Sequence, residues 1–163
     1  MKKVMVLIAL AVITVYAIPC YSLSERGAVR FLDGLEDLSV RGNSAGYCAR
    51  LHPDLRVSIN DRSADPPAIF DGNEQDFCDY VSSATKGMQL LGISMKVTRN
   101  DLAVTRSWLH PWTAHVSYKE DRVTTMSRVN VTLHTQSEDQ LTLVQTFRGV
   151  RLLELATHAR AVK

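Results

Sequence analysis

The 163-residue chain lacks any long block of basic residues, and its 19 Lys and Arg are nearly balanced by 17 Asp and Glu. Proteins that bind nucleic acids use clustered Lys and Arg to displace counterions from phosphates. The absence of such a cluster therefore excludes a nucleic-acid partner. The sequence also lacks internal repeats, low-complexity tracts and interdomain linkers, so it predicts a single domain.

The sequence also lacks an apolar run of full membrane-spanning length. The run from Val4 to Ile18 has 15 uncharged residues, whereas a bilayer-spanning helix needs about 20. Lys2 and Lys3 precede it, and small or turn-forming residues follow, which is the pattern of a secretory signal peptide. We predict that residues 1–22 are a signal peptide and that the mature protein is periplasmic or secreted, with no stable membrane insertion after cleavage.

The cleavage site has two candidates, Ser22 and Ala17. An uncleaved membrane anchor is the alternative to cleavage. Lipidation of Cys20 is disfavoured because Pro19 stands where lipoprotein signals usually have Gly, Ala or Ser. Removal of the signal peptide takes away two lysines and leaves 17 basic against 17 acidic residues, so the mature protein is close to neutral.

Cysteine is scarce, with three residues in the whole chain. Cys20 leaves with the signal peptide, which leaves Cys48 and Cys78 in an oxidising compartment where disulfides persist. A Cys48–Cys78 disulfide would close a loop of about 30 residues and stabilise the fold by roughly 3–4 kcal/mol in the chain-entropy model. Two separate buried thiols are the alternative. No Cys–His pairing is visible, so a catalytic cysteine is not expected.

The first half of the mature chain has helical periodicity. Apolar residues at spacings of three and four predict a helix over Ser24 to Leu38, a short helix over Ser44 to Leu51 and a third helix over Glu74 to Leu91. Leu55 to Asn60 alternates as a half-buried strand. Asn60 to Asn73, with two prolines and an Asp-Gly turn signal, is predicted to be a loop.

After Gly92 the hydrophobic period changes from 3.6 to 2, which is typical of strands. Asn100-Asp101 is a turn candidate. The order of helices followed by strands predicts an α+β fold, with the helices packed on one face of a curved antiparallel sheet. The predicted strands are Ile93 to Thr98, Leu102 to Arg106, Trp112 to Tyr118, Val129 to Leu133, Leu141 to Gln145 and a weaker one over Val150 to Ala161.

This order of elements resembles the nuclear transport factor 2-like superfamily, also called the cystatin-like α+β cone fold. The resemblance covers Ser24 to Arg160 and rests on three stretches: FLDGLEDLSVRGNSAGYCARLHPDLRVSI, FDGNEQDFCDY and LTLVQTFRGVRLLELATHAR. It implies that residues 23–163 form one such domain, in which the sheet curls into a cone around an internal cavity. Members include ketosteroid isomerases, scytalone dehydratases and polyketide cyclases, and also non-catalytic proteins.

The catalytic pattern of ketosteroid isomerases is matched poorly. Counting from Asp54 places their general base at Ile59, and Asp61 lies two residues further along the same strand face. The oxyanion tyrosine of the first helix is absent, since Tyr47 falls on the second helix. Epoxide hydrolases of this superfamily use an Asp–Arg–Asp set. Asp33, Asp101 and Arg106 are residues of these types, but nothing in their spacing indicates that they form such a set. We therefore predict no catalytic residues and no cofactor, and a non-enzyme is favoured.

Histidine spacing does not favour a metal site. His110 and His115 straddle Pro111, and His134 lies on a later strand, whereas zinc sites use tighter ligand spacing. No metal is predicted.

The aromatic stretch RSWLHPWTAHVSY, residues 106–118, is interpreted as cavity wall. Alternation places Trp112, Ala114, Val116 and Tyr118 on one side of a strand, with Trp108 on the same side unless Pro111 resets the phase. His110 is the polar group expected at the rim. The pocket-lining candidates are Phe31, Leu35, Trp108, His110, Trp112, Val116 and Tyr118.

The resulting hypothesis is an exported protein with a hydrophobic cone-shaped pocket that binds a small molecule or a protein without catalysis. A homodimer through the sheet is expected, with exposed residues such as Arg128, Asn130, Thr132 and His134 at the interface. Two alternatives remain. One is a small isomerase, lyase or hydrolase, and the other is an anchored envelope component resembling the periplasmic domain of a type IV secretion protein.

Overall fold

The computed structural model describes residues 21–63 and 66–162, so almost all of the predicted signal peptide lies outside the described residues. Three helices and six strands follow in this order: α1 (Glu25–Val40), α2 (Ser44–Cys48), β1 (Leu51–Arg62), β2 (Ala68–Gly72), α3 (Glu74–Leu91), β3 (Ile93–Arg106), β4 (Thr113–Met126), β5 (Val131–Thr146) and β6 (Gly149–Ala161). No helix within these ranges is long and apolar enough to span a membrane.

The two long helices begin at side-chain caps. Ser24 accepts a hydrogen bond from the Gly27 amide at the start of α1. At α3, the Asn73 side chain accepts from the amides of Gln75 and Asp76, and the Asp76 carboxylate accepts from the Asn73 amide. These bonds satisfy amides that have no partner inside the helix. Helix α2 ends at Cys48 rather than at the predicted Leu51, because the chain there already enters β1.

All six strands form one curved, open sheet in the order β2-β1-β6-β5-β4-β3. The α+β class predicted from sequence is confirmed. The prediction of a purely antiparallel sheet is wrong at one place, since β1 and β6 pair in parallel. Parallel neighbours need a long crossover, and here all the elements between β1 and β6 supply it.

Two local predictions in the strands are wrong. The stretch Asn100-Asp101 is not a turn, because β3 continues through it with a register shift between Asn100 and Ala103. Asp101 has a φ of 55°, and the extra residue makes a β-bulge that bends the strand. The predicted loop from Asn60 to Asn73 contains β2, which pairs antiparallel with β1. Strand β2 lies at the exposed edge of the sheet, which explains why its sequence shows only weak alternation of apolar residues.

The core lies between the helices and the inner face of the sheet. Helix α1 buries Ala28, Phe31, Leu32 and Leu35, and α3 buries Phe77 and Val81. The sheet contributes buried side chains at alternate positions, which point to the helices. These are Leu55 and Val57 of β1, Ala114, Val116 and Tyr118 of β4, Leu141 and Leu143 of β5, and Leu152 of β6.

The Cys48–Cys78 disulfide joins α2 to α3, with a Cα–Cα distance of 5.6 Å, and confirms the pairing predicted from sequence. It closes a loop of 30 residues that contains β1 and β2. The bridge therefore ties the short helix to the helix layer that covers the sheet.

We expect that the double substitution Cys48→Ala/Cys78→Ala lowers the free energy of unfolding by about 3 kcal/mol, because the unfolded chain regains the entropy that the bridge removes. Urea denaturation measures this change. A reducing agent should destabilise the wild-type protein by a similar amount and leave the variant unchanged. Equal stability of variant and wild type would contradict the prediction.

Candidate functional site

A cavity of about 380 Å³ lies between the helices and the inner face of the sheet. Its size falls within the range of small-molecule sites, which are mostly apolar with a few polar groups. Apolar walls come from α1, α3 and both halves of the sheet. They include Leu32, Leu35, Ile59, Phe77, Val81, Ala84, Met88, Met95, Val97, Leu141, Leu152 and Leu155.

The polar side chains of the cavity lie in neighbouring rows across the sheet. In one row, Tyr118 of β4 stands opposite Asp139 of β5, which stands opposite Thr157 of β6. In the next row, Arg99 of β3 stands opposite Glu120. Because side chains alternate along each strand, residues two apart on β4 and β5 share the inner face. Strand register thus gathers these groups at one end of the cavity.

The carboxylate of Glu120 is 4% exposed and lies between two arginines. Arg122 donates to Glu120 Oε1 from Nε at 3.0 Å and also from Nη2. Arg99 Nε lies 3.5 Å from Glu120 Oε2. A buried charge of this kind is stable only when it is paired. Burial disfavours the charged form of Arg122, but its attraction to Glu120 and their hydrogen bond outweigh burial and raise the Arg122 pKa.

Arg99 also reaches the helix layer. Its Nη1 lies 2.6 Å from Asp33 Oδ1, and its Nη2 lies 2.7 Å from Glu36 Oε2, both on α1. Burial lowers the Arg99 pKa, and the hydrogen bond that Arg99 donates to Glu36, together with the Glu120 charge, raises it by more, so the net shift is upward. Arg99 therefore connects α1 to the sheet at the polar end of the cavity.

Asp139 is the second buried carboxyl group of the cavity, 5% exposed. Burial raises its pKa and the Glu120 charge adds to the shift, whereas hydrogen bonds from Thr157 and Ser137 and the Arg122 charge oppose it. Ser137 Oγ donates to Asp139 Oδ2 at 3.0 Å. The other oxygen, Oδ1, is buried and makes no hydrogen bond of good geometry with any described residue.

Two tyrosines complete the polar end. Burial raises the pKa of Tyr118 well above its usual range, with Asp139 and Glu120 adding to the shift and Arg99 opposing it. Burial likewise raises the pKa of Tyr47 to about 12, against the opposing charge of Arg122. Both hydroxyls therefore stay protonated at neutral pH and can donate hydrogen bonds.

Of the residues predicted to line the pocket, the structure places some in the cavity lining and others elsewhere. Leu35 and Tyr118 line the cavity, whereas Phe31 and Val116 are buried in the core and are not among its lining residues. Trp108 and His110 lie in the turn between β3 and β4, exposed to solvent, and Trp108 is 83% exposed. Trp112, 36% exposed, precedes β4 and is not among the lining residues. The aromatic turn is therefore not the cavity wall.

Asp61 and Ile59, the positions reached by comparison with ketosteroid isomerases, both line the cavity. Asp61 Oδ1 accepts a hydrogen bond from the Ser63 amide at 2.8 Å, so this carboxylate is partly engaged by its own turn. Tyr47, from α2, also lines the cavity. No three His, Cys, Asp or Glu side chains in the described ranges are grouped to hold a metal ion.

Sequence reasoning missed Arg99, Glu120, Arg122 and Asp139. A signal for part of this set was present, because the alternation of Ala114, Val116 and Tyr118 continues to Glu120 and Arg122 without a break. Charged residues in the inward phase of a half-buried strand indicate a polar interior. The predicted strand ended at Tyr118, whereas β4 extends to Met126.

No protein-family model and no curated protein matches the sequence. Solved structures with the same architecture do match. A predicted scytalone dehydratase from Novosphingobium aromaticivorans is 11% identical, with a TM-score of 0.63 over 85% of this chain and 83% of that chain. A nuclear transport factor 2-like protein from Cytophaga hutchinsonii is 12% identical, with a TM-score of 0.58 over 83% and 95%.

A third similar structure is the beta subunit of benzoate 1,2-dioxygenase from Burkholderia mallei, which is 8% identical with a TM-score of 0.64 over 81% of this chain and 87% of that subunit. The chain thus has the nuclear transport factor 2-like fold, and the resemblance predicted from sequence is confirmed at the level of fold. Proteins of different kinds share this fold, so the function has to be argued from the site.

We expect that Arg99→Met lowers the free energy of unfolding by about 3 kcal/mol, because it removes one of the two cations that pair with the buried Glu120. Arg41→Met is the matched control, since its ion pair with Asp37 is exposed and should contribute less than about 0.5 kcal/mol. Thermal or urea denaturation of the two variants makes the comparison. Equal effects would show that the buried network does not stabilise the fold.

Proposed function

We propose that the protein binds a small, largely apolar molecule that carries a hydrogen-bond donor. The observation that supports this most strongly is the buried Asp139 Oδ1, which makes no hydrogen bond of good geometry with a described residue inside a mostly apolar cavity of about 380 Å³. A buried acceptor left unpaired costs about 1–3 kcal/mol. A ligand that donates to Asp139 would remove that cost, and the apolar walls would cover the rest of its surface.

The proposal includes export to a compartment outside the cytoplasm. Two features support it: the Cys48–Cys78 bridge, since disulfides persist in oxidising compartments, and the signal-like sequence of residues 1–22. Mass spectrometry of the N-terminus of the exported protein distinguishes a cleaved form from an anchored one.

Pairing of two copies through the sheet is also part of the proposal. The outer sheet face has a depression in which His115 Nδ1 lies 3.1 Å from Thr142 Oγ1, and Thr142 donates to Glu154 Oε2 at 2.7 Å. Of the residues predicted at the interface, Thr132 and His134 are exposed on β5, whereas Arg128 and Asn130 lie in the preceding turn. Homodimerisation stays a prediction that sedimentation equilibrium measures.

The ligand proposal predicts a preference of the cavity for 2-naphthol over naphthalene, measured by calorimetry. The two probes have the same ring system, but only 2-naphthol can donate a hydrogen bond to Asp139. Asp139→Leu should weaken 2-naphthol binding about tenfold, in line with a hydrogen bond to a charged group, and leave naphthalene binding unchanged.

Glu138→Leu is the matched control, because Glu138 is adjacent in sequence but exposed on the outer sheet face. It should leave both affinities at the wild-type values. Equal binding of the two probes to the wild type, or an equal loss in the Glu138 variant, would contradict the proposal.

Proton-transfer catalysis is the second candidate function, favoured by the raised Asp139 pKa opposite the protonated Tyr118. A carboxylate whose pKa is raised is a stronger general base, and a tyrosine hydroxyl can stabilise a developing oxyanion. This pair would fit the removal of a proton next to a carbonyl group.

Proton exchange at the α-carbon of 2-tetralone in D₂O, followed by NMR, tests this candidate. We expect a rate above the buffer background that rises with pH as Asp139 loses its proton. Asp139→Asn should lower that rate at least about a hundredfold. Exchange at the background rate would contradict the catalytic candidate. If 2-naphthol still binds tightly, the protein is a binding protein without this catalytic activity.

A further inference from the structure

One end of the molecule exposes four large apolar side chains. They lie where the turn between β3 and β4 meets the turn between β5 and β6, and the Gln145 amide donates to the Trp112 carbonyl at 2.8 Å between them. Trp108, Leu109 and Phe147 are 83%, 63% and 109% exposed, and Trp112 is 36% exposed. We call this surface the aromatic end. It holds both tryptophans of the chain.

The exposure of these side chains is costly in water. Burying one large apolar side chain contributes about 1.5–3 kcal/mol to stability. The exposed side chains in the two neighbouring turns of the aromatic end do not make this contribution. Large exposed apolar patches mark surfaces that contact a partner or a membrane. Elsewhere, exposed side chains such as Ile69 and Leu90 stand on an edge strand and a helix, away from these turns.

Positive charge adjoins the aromatic end. Arg148 follows Phe147 and lines a surface depression of about 500 Å³ together with Arg30, Arg50 and Tyr21. No carboxylate is among the lining residues of this depression. The Arg30 guanidinium lies 5.3 Å from the Tyr21 ring centroid. Exposed aromatic groups next to arginines complement a bilayer surface, because rings settle at the headgroup level and guanidinium groups bind phosphates.

The chain enters the domain at the same end. Tyr21, the first described residue, lines the depression with Arg148. The apolar run from Val4 to Ile18 is therefore connected, through Pro19 and Cys20, to the side of the domain that carries the aromatic end. Until the predicted cleavage removes residues 1–22, a domain attached to a membrane by that run would present this surface to the bilayer.

We infer that the aromatic end is a docking surface for an anionic lipid bilayer. Trp108, Leu109 and Phe147 enter the headgroup region, and the arginines of the depression contact lipid phosphates. This inference does not depend on the ligand of the internal cavity, which lies between the helices and the sheet.

The test uses the full chain with vesicles of phosphatidylcholine and phosphatidylglycerol whose acyl chains carry bromine, which quenches tryptophan emission on contact. Since both tryptophans lie at the aromatic end, their emission reports on this surface alone. We expect quenching and a shift of the emission to shorter wavelength. Vesicles without phosphatidylglycerol should give weaker quenching, because the phosphate-arginine attraction depends on anionic lipid.

The double variant Phe147→Ser/Arg148→Glu keeps both tryptophans as reporters. It should reduce the quenching about tenfold, since it removes an inserted ring and reverses a charge at the lipid surface. Ile69→Ser/Leu90→Ser is the control, because it removes two exposed apolar side chains away from this end, and it should quench like the wild type. Circular dichroism confirms that both variants are folded.

Three results would overturn the inference. The first is an absence of quenching in the wild type, and the second is equal quenching in both double variants. The third is tryptophan emission that shifts with protein concentration in the absence of vesicles, which would assign the aromatic end to contact between copies of the chain.

Discussion

The pairing of Glu120 with two arginines is the constraint on which the interior of the cone depends. A carboxylate that is 4% exposed needs cations beside it, because transfer of an unpaired ion out of water costs several kcal/mol. Arg122 pairs with it along the same strand, and Arg99 pairs with it from β3 and with Asp33 and Glu36 from α1. One network thus joins the helix layer to the sheet beside an open cavity.

The two buried carboxyl groups of the cavity have different surroundings and hence different roles. Glu120 is held by cations, which makes it a structural charge. Asp139 is held by hydroxyl groups, its pKa is raised by burial, and one of its oxygens has no good hydrogen bond in the described part of the chain. Of these two groups, Asp139 is the one that the proposal places in contact with a ligand. The proposed function therefore centres on Asp139 and Tyr118.

Much of the fold could be predicted from the sequence because its signals are local. The spacing of apolar residues in α1 and α3, and the alternation of Ala114, Val116 and Tyr118, follow directly from helix and strand geometry. The bulge at Asp101, the edge strand β2 and the parallel pairing of β1 with β6 were not predicted. Each depends on contacts between segments distant in sequence, for which alternation within one segment carries no information.

By itself, the sequence determined the α+β class, the candidate disulfide and the inward phase of β4, because these depend on residue period and count. Tertiary structure alone decided which inward side chains meet. Strand register sets Tyr118 opposite Asp139 and Arg99 opposite Glu120, and a slip of one residue would turn each side chain to the other face. It also decided that the tryptophans of RSWLHPWTAHVSY stand outside the cone, because β4 begins only after them at Thr113.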